Sequence, residues 1–436
     1  MATRGTTGEP GRRRNLPFGM TAVAVALLLA VGVLRAGMGP ARVEARAAAA
    51  TTSAVADLPA EMIPPDMGQA GIQVFVEATA HTIRGQMLDY WRANGAASVY
   101  GNPISEPFAA ANGYYSQAFE NAVFQYLPDY LYTEDPDVRL MPIGQAAIDA
   151  RGGGFRNDGR REAGGGDRRG SKWRPLDPVG GKTIPRVLNE GGVYVEETSH
   201  TISGDFLDWY ENHEGQFYLG NPLSQPMADR GQTVQWFEGG LLMTGDEGTR
   251  LAPLAEESAA LLGIDTEPVE QGDLPVFDER LLVTAENPNP LGDIDAPGAK
   301  RIEIDISKQT LWAYQGDTLI TSTLISTAAE PNHTERGFFH VRYKKEKEDM
   351  AGFTDGTGEV VGLADGVTGE QSGIRYEVKD VPHVMYINLD AEALHGAYWH
   401  NNFGTPMSHG CLNLPLDMAE FLYDWAPLGT QVWVHD

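Results

Sequence analysis

The chain has 436 residues and a formal net charge of −27, with 42% hydrophobic residues, 51 glycines and 27 prolines. That length exceeds one ordinary domain and predicts two or three. The acidic balance excludes a general nucleic-acid binder, because neutralising phosphates needs basic surface.

At the N-terminus, Arg12-Arg13-Arg14 precede an apolar run from Met20 to Leu34 that is short for a membrane span. With the small-residue site Ala45-Arg46-Ala47, residues 1–47 read as a secretory signal peptide. The alternative is an uncleaved anchor, the one membrane contact expected of the chain, and the Arg13-Arg14 pair followed by Leu16 suggests twin-arginine export. Each reading places the body of the protein outside the cytoplasm. Residues 48–70, rich in Ala, Thr and Pro, are expected to be a flexible tether.

An internal repeat follows. Val74 to Trp91 returns as Val193 to Tyr210, and Gly-Asn-Pro-Ile-Ser at 101–105 returns as Gly-Asn-Pro-Leu-Ser at 220–224. In each copy apolar residues recur at helical spacing (Ile83, Met87, Leu88, Trp91; Ile202, Phe206, Leu207, Tyr210), then come a Gly-Asn-Pro turn and an aromatic segment expected to be strand. The pattern predicts two small α+β modules over 71–150 and 183–265. They resemble repeats of exported bacterial cell-surface proteins, which implies at most a role in binding the wall or its glycan. His81 and His200 match in position, and a turn-bonding role is the plainer expectation for both. Trp236 would suit sugar stacking if exposed, and a core place is its plainer reading. Residues 151–182, Gly- and Arg-rich, and 266–298, Pro-rich and acidic, are expected to be linkers.

The last domain, 299–436, opens with Ile302, Ile304 and Ile306 alternating as a half-buried strand. A hairpin around Gln315-Gly316-Asp317 comes next, and further strands are predicted at 338–343, 374–378, 383–389 and 431–435. A helix is predicted over Leu416 to Trp425, so the domain should be mainly β. The charged, Gly-rich segment from Lys344 to Ser372 reads as a long loop suited to covering a site.

The single cysteine, Cys411, follows Ser408-His409-Gly410 and precedes Leu412-Asn413, and His395 stands fourteen residues before His409. A thiol becomes nucleophilic when a base or positive environment favours the thiolate, and His409 is nearest in sequence. Gly410 allows close approach of main chain to substrate, and N–H groups near Gly410 and Cys411 suit an oxyanion hole. Ser408 is placed to orient His409, Asn413 to brace the turn or bind a substrate carbonyl, and Tyr386 to form a wall. These parts suit acyl transfer through a thioester.

His395, the spacer and Ser408-His409-Gly410-Cys411-Leu412-Asn413 resemble the L,D-transpeptidase catalytic domain of the YkuD family, and the likeness extends across Arg301 to His435, including the opening segment from Ile302 to Tyr314. The resemblance implies a β-sandwich-like fold, peptidoglycan stem peptides as substrate, and no metal or organic cofactor. It also implies Cys411 as nucleophile attacking after the L-centre of diaminopimelate in a tetrapeptide stem, His409 as base, His395 lining the site, release of D-alanine, and a 3→3 cross-link to an acceptor amine. Where the family has Thr-Pro-x-Gly, this chain has Thr334-Glu335-Arg336-Gly337, which bears on the shape of the donor pocket. Rival readings are an L,D-carboxypeptidase with water as acceptor, a protein-to-wall ligase, a non-enzymatic wall-binding protein, and a zinc site drawn from His395, His400, His409 and Cys411, whose spacing is unlike zinc sites.

Overall fold

The computed structural model describes residues 55–65, 72–151, 174–246, 248–363 and 373–436. The expected leader, most of the tether and the Gly/Arg-rich segment at 152–173 lie outside the described residues. Among the described residues, no helix is long and apolar enough to cross a membrane.

The first repeated segment begins with a hairpin of β1 (Gln73–Val76) and β2 (His81–Arg84), then α1 (Gly85–Ala93) and α2 (Ala96–Tyr100). An antiparallel sheet of β3 (Phe108–Ala109), β4 (Tyr115–Ala118), β5 (Val123–Tyr126) and β6 (Val138–Leu140) follows, closed by α3 (Gly144–Ala150). After α4 (Thr183–Asn189), the second segment runs through a like order. It has a hairpin of β7 (Val193–Val195) and β8 (His200–Ile202), then α5 (Asp205–Asn212) and α6 (Gly215–Tyr218). Its sheet is β9 (Met227–Asp229), β10 (Gln232–Trp236), β11 (Leu241–Gly245) and β12 (Gly248–Leu251), followed by α7 (Leu254–Leu262).

The recurring motif has the same physical use in both places. Gly101 and Gly220 adopt φ of +76° and +70°, a left-handed turn open to glycine. The next residue's amide then donates to a glutamate, Asn102 to Glu120 Oε2 at 2.7 Å and Asn221 to Glu238 Oε2 at 2.9 Å. Ser105 and Ser224 each accept a strand amide at 3.0 Å, from Ala118 and Trp236. His81 and His200 are buried in the hairpins, His81 facing Glu106 at 3.6 Å. Trp236 is fully buried, so it is a core residue and unavailable for sugar stacking.

In the last domain one sheet has the order β15-β14-β13-β22-β16, built from β13 (Lys300–Asp305), β14 (Thr310–Gln315), β15 (Thr318–Leu324), β16 (Gly337–His340) and the C-terminal β22 (Gln431–His435). The other has the order β18-β17-β19-β20-β21, from β17 (Tyr343–Thr354), β18 (Val360–Leu363), β19 (Ile374–Tyr386), β20 (Ala393–Gly396) and β21 (Leu412–Leu414). Helix α8 (Leu416–Trp425) follows β21. Ile302, Ile304 and Leu311 of the first sheet share one core with Met385, Leu394 and Leu412 of the second and with Phe421, Leu422 and Trp425 of α8. Two buried lysines hold the end of α8, where backbone carbonyls and the helix dipole favour cations. Lys300 Nζ donates to Trp425 O at 2.8 Å, and Lys344 Nζ to Ala426 O at 3.0 Å and to Tyr423 O.

The sequence differs from the structure in two places. Lys344 to Ser372 reads as a loop, yet residues 344–354 and 360–363 are strand, because β17 pairs with β19 from Tyr343↔Tyr386 out to Thr354↔Ile374. The two strands expected at 374–378 and 383–389 are correspondingly one strand, β19. Secondly, the segment at 266–298 has little regular structure but is bound in place: Phe75 N–H donates to Pro275 O at 2.9 Å and Phe277 N–H to Phe75 O at 2.8 Å. Its Glu279 receives Arg92 at 2.9 and 2.7 Å and Lys300 at 2.5 Å. Helix α1 is consequently buried almost all round rather than along one stripe.

Candidate active site

The site is built on the parallel pair β20–β21, whose register sets Leu394 opposite Leu412 and His395 opposite Asn413. Side chains alternate between the faces of a strand. Leu394 and Leu412 therefore enter the core, while His395, Asn413 and Cys411, two residues before Asn413, share the other face. A cavity of about 160 Å³ is lined by Cys411, His395, His409, Ser408, Asn413 and Tyr386, among others. Of the seven residues expected from sequence to catalyse or bind substrate here, Gly410 alone lies off this lining.

The turn that carries Cys411 is stapled on both sides. Ser408 Oγ donates to Cys411 O at 2.5 Å and accepts Gly410 N–H at 3.3 Å. Ser408 therefore braces the turn rather than His409, and it takes up the Gly410 amide considered for an oxyanion hole. Thr334, in the Thr-Glu-Arg-Gly segment, donates from Oγ1 to Gly410 O at 2.7 Å. Asn413 pairs with Ser326 through its backbone, at 2.9 and 3.0 Å, and its Nδ2 lies 3.0 Å from His400 Nε2.

Cys411 sits in an apolar satellite cluster with Val381, Val384 and Ala393. Burial pushes its thiol up to about 11, the Glu392 carboxylate adds to the rise, and the Ala393 amide opposes it. Glu392 is itself buried and held by Glu335 N–H at 3.0 Å and Asn388 Nδ2 at 3.0 Å; burial foremost pushes its carboxyl up to about 7. Ala391, at φ +63°, makes the sharp turn that brings its carbonyl to 3.9 Å from Cys411 Sγ. At neutral pH Cys411 is thus a thiol, and any nucleophilic role for it requires a base.

Two imidazoles line the cavity. His395 is 2% exposed, and burial pushes it down to about 4, so it is neutral. Its Nδ1–H donates to Gly396 O at 3.2 Å, which leaves Nε2 with its lone pair free to accept. His409 is exposed at the rim and stacks on Tyr376 with ring centroids 4.6 Å apart and planes at 14°; partial burial lowers it too. Among the described residues no hydrogen bond joins either histidine to Cys411.

Tyr386 stacks on Tyr343 at 6.1 Å and donates to Glu348 Oε2 at 2.6 Å. Tyr376, Ala391 and Glu392 carry no signal in the sequence, since none belongs to a recognisable spacing, whereas Thr334 stands in the Thr-Glu-Arg-Gly segment already set against the family's Thr-Pro-x-Gly. The β17–β19 hairpin contributes Met350 and Val378 to the lining, so part of the segment expected to cover the site does stand beside it, as strand. Among the described residues no three His, Cys, Asp or Glu side chains converge in a metal-holding arrangement.

Residues 299–434 match the YkuD family model, described as the L,D-transpeptidase catalytic domain. No curated protein matches the chain. Among solved structures, an L,D-transpeptidase in complex with imipenem is 21% identical over 31% of this chain and 60% of its own, with a TM-score of 0.26. An L,D-transpeptidase from Mycobacterium smegmatis is 19% identical over 33% and 64%, with the same TM-score of 0.26. The catalytic domain of the E. faecium L,D-transpeptidase is 25% identical over 31% of this chain and 96% of its own, again at 0.26. The chain spans less than two thirds of the first two of these proteins.

Proposed function

We propose that this chain is a peptidoglycan L,D-transpeptidase in which Cys411 is the nucleophile and His395, rather than the expected His409, receives its proton. The observation that carries the reading is the shared face of His395 and Cys411 in the β20–β21 pair, with the match of 299–434 supplying the reaction class.

In the proposed sequence the Sγ–H proton passes to His395 Nε2 while Sγ attacks the carbonyl carbon after the L-centre of diaminopimelate. The C–N bond to terminal D-alanine breaks, and the imidazolium protonates the departing amine. The acyl group remains on Cys411 as a thioester. An acceptor amine then attacks, its proton returns through His395 to sulfur, and a 3→3 cross-link and a free thiol result. Ser408 and Thr334 hold the turn, Tyr386 and the β17–β19 hairpin wall the donor end, and His409 with Tyr376 forms the rim. The reading places the protein outside the cytoplasm, tethered or released by its N-terminal segment, with wall glycan as a further contact of the repeats.

The test is mass spectrometry of products from a disaccharide-tetrapeptide substrate. The wild type should release D-alanine and form a cross-linked dimer, and Cys411→Ala should do neither. Identical behaviour of the two proteins sinks the reading.

A further inference from the structure

The catalytic cavity, at about 160 Å³, is below the ~300–1,000 Å³ usual for ligand pockets. It holds the reacting end of one stem, and two stems must meet at Cys411. A second cavity of about 560 Å³ lies where the first repeated segment meets the catalytic domain. Tyr130, Tyr132, Glu134 and Asp135 form one bank, and Arg342, Tyr343, Lys345 and Glu348 lie on the other. Tyr386 and Ala391 line both cavities, and the Ala391 carbonyl is the group 3.9 Å from Cys411 Sγ. The larger cleft therefore opens beside the sulfur that would carry the acyl group.

We infer that this cleft is the acceptor subsite, and that its ligand is a peptide bearing a free amine. The inference rests on the transpeptidase reading and deepens it. The cleft is mixed in charge: four carboxylates (Glu134, Asp135, Asp137, Glu348) face two cations (Arg342, Lys345). Both cations are already paired, Arg342 with Glu134 at 3.5 Å and Lys345 with Glu348, and carboxylates remain in excess, which suits an ammonium group. Flat phenol rings add contact area with few torsions to freeze. Tyr132, 78% exposed, is the most open of them. The two banks are fixed relative to each other, because Glu134 Oε1 accepts Leu389 N–H at 3.0 Å and Arg342 donates to Leu131 O at 3.3 Å. The first repeated segment would thus complete the enzyme's second substrate site, a role distinct from anchoring to the wall.

The experiment uses the full chain, a tetrapeptide-stem donor and a stem peptide acceptor with a free side-chain amine. It reads the ratio of cross-linked product to hydrolysed tripeptide in the wild type, Tyr132→Ala and Asp135→Lys. The ratio should fall about tenfold in each variant, with the acceptor KM raised. Damage to the fold would lower both products together and leave the ratio unmoved, so an unmoved ratio overturns the acceptor assignment while cross-linking by the wild type keeps the transpeptidase reading. Stem-free glycan that competes with the amine as well as the peptide does would also overturn it. A wild type that forms no thioester overturns both.

Discussion

Cys411 and His395 lie on one face of the β20–β21 pair, the thiol two residues before Asn413, the cross-strand partner of His395. Sequence distance hides this relationship, because sixteen positions separate the two residues while His409 stands only two away.

The first prediction separates the histidines. His395→Gln should slow acylation of Cys411 by about 10²–10⁴-fold, the usual worth of a positioned base. His409→Gln should slow it by less than about tenfold, since that ring lies exposed against Tyr376. Single-turnover acylation followed by intact mass decides it, and the reverse order of losses would return the base role to His409.

A second concerns the thiol. Ionised Glu392 helps hold the Cys411 thiol up, near 11, so Glu392→Gln should move the midpoint of Cys411 alkylation by iodoacetamide to lower pH. As Glu392 titrates near 7, the two proteins should differ more above that pH than below it. Superimposable alkylation profiles would show that Glu392 does not act on the sulfur.

A third tests the staple between segments. Thr334 is buried, gives its hydroxyl proton to Gly410 O and accepts Ala328 N–H at 3.0 Å, so Thr334→Val strips a partner from a half-buried carbonyl and from an amide at nearly constant shape. The cost should be about 1–3 kcal/mol in chemical denaturation, with acylation slowed because the turn that carries Cys411 loosens. Unchanged stability and rate together would count against the staple.

A fourth is about pH. The Glu279 carboxyl, although buried, is held down at about 2 against an ordinary 4.5 by Lys300 and Arg92. A carboxylate with a depressed folded pKa contributes stability that is present above its unfolded value and lost as pH falls. Its contribution should therefore be complete above about pH 4.5 and disappear toward pH 2. Glu279→Gln should remove about 3–5 kcal/mol at pH 7, because it leaves two buried cations without their partner. Denaturation of both proteins at pH 7 and at pH 3 checks this, with the gap between them narrowing at the lower pH.

Local pattern determined much of this protein from the sequence alone. The alternation of Ile302 and Ile304, the helix over Leu416–Trp425, the strand over Gln431–His435, the two Gly-Asn-Pro turns and the Cys411 turn are all read from neighbouring residues, because strand and helix periods and left-handed glycines act over a few positions. Only the tertiary structure decided which groups face the sulfur. Register across β20–β21 chose the face His395 shares, a left-handed Ala391 brought Glu392 beneath the turn, and pairing of β17 with β19 made strand from a segment whose charges read as loop. These outcomes depend on contacts between residues far apart in sequence, and on the burial that such contacts impose. For the same reason the cleft between the first repeated segment and the last domain leaves no trace in the pattern of either.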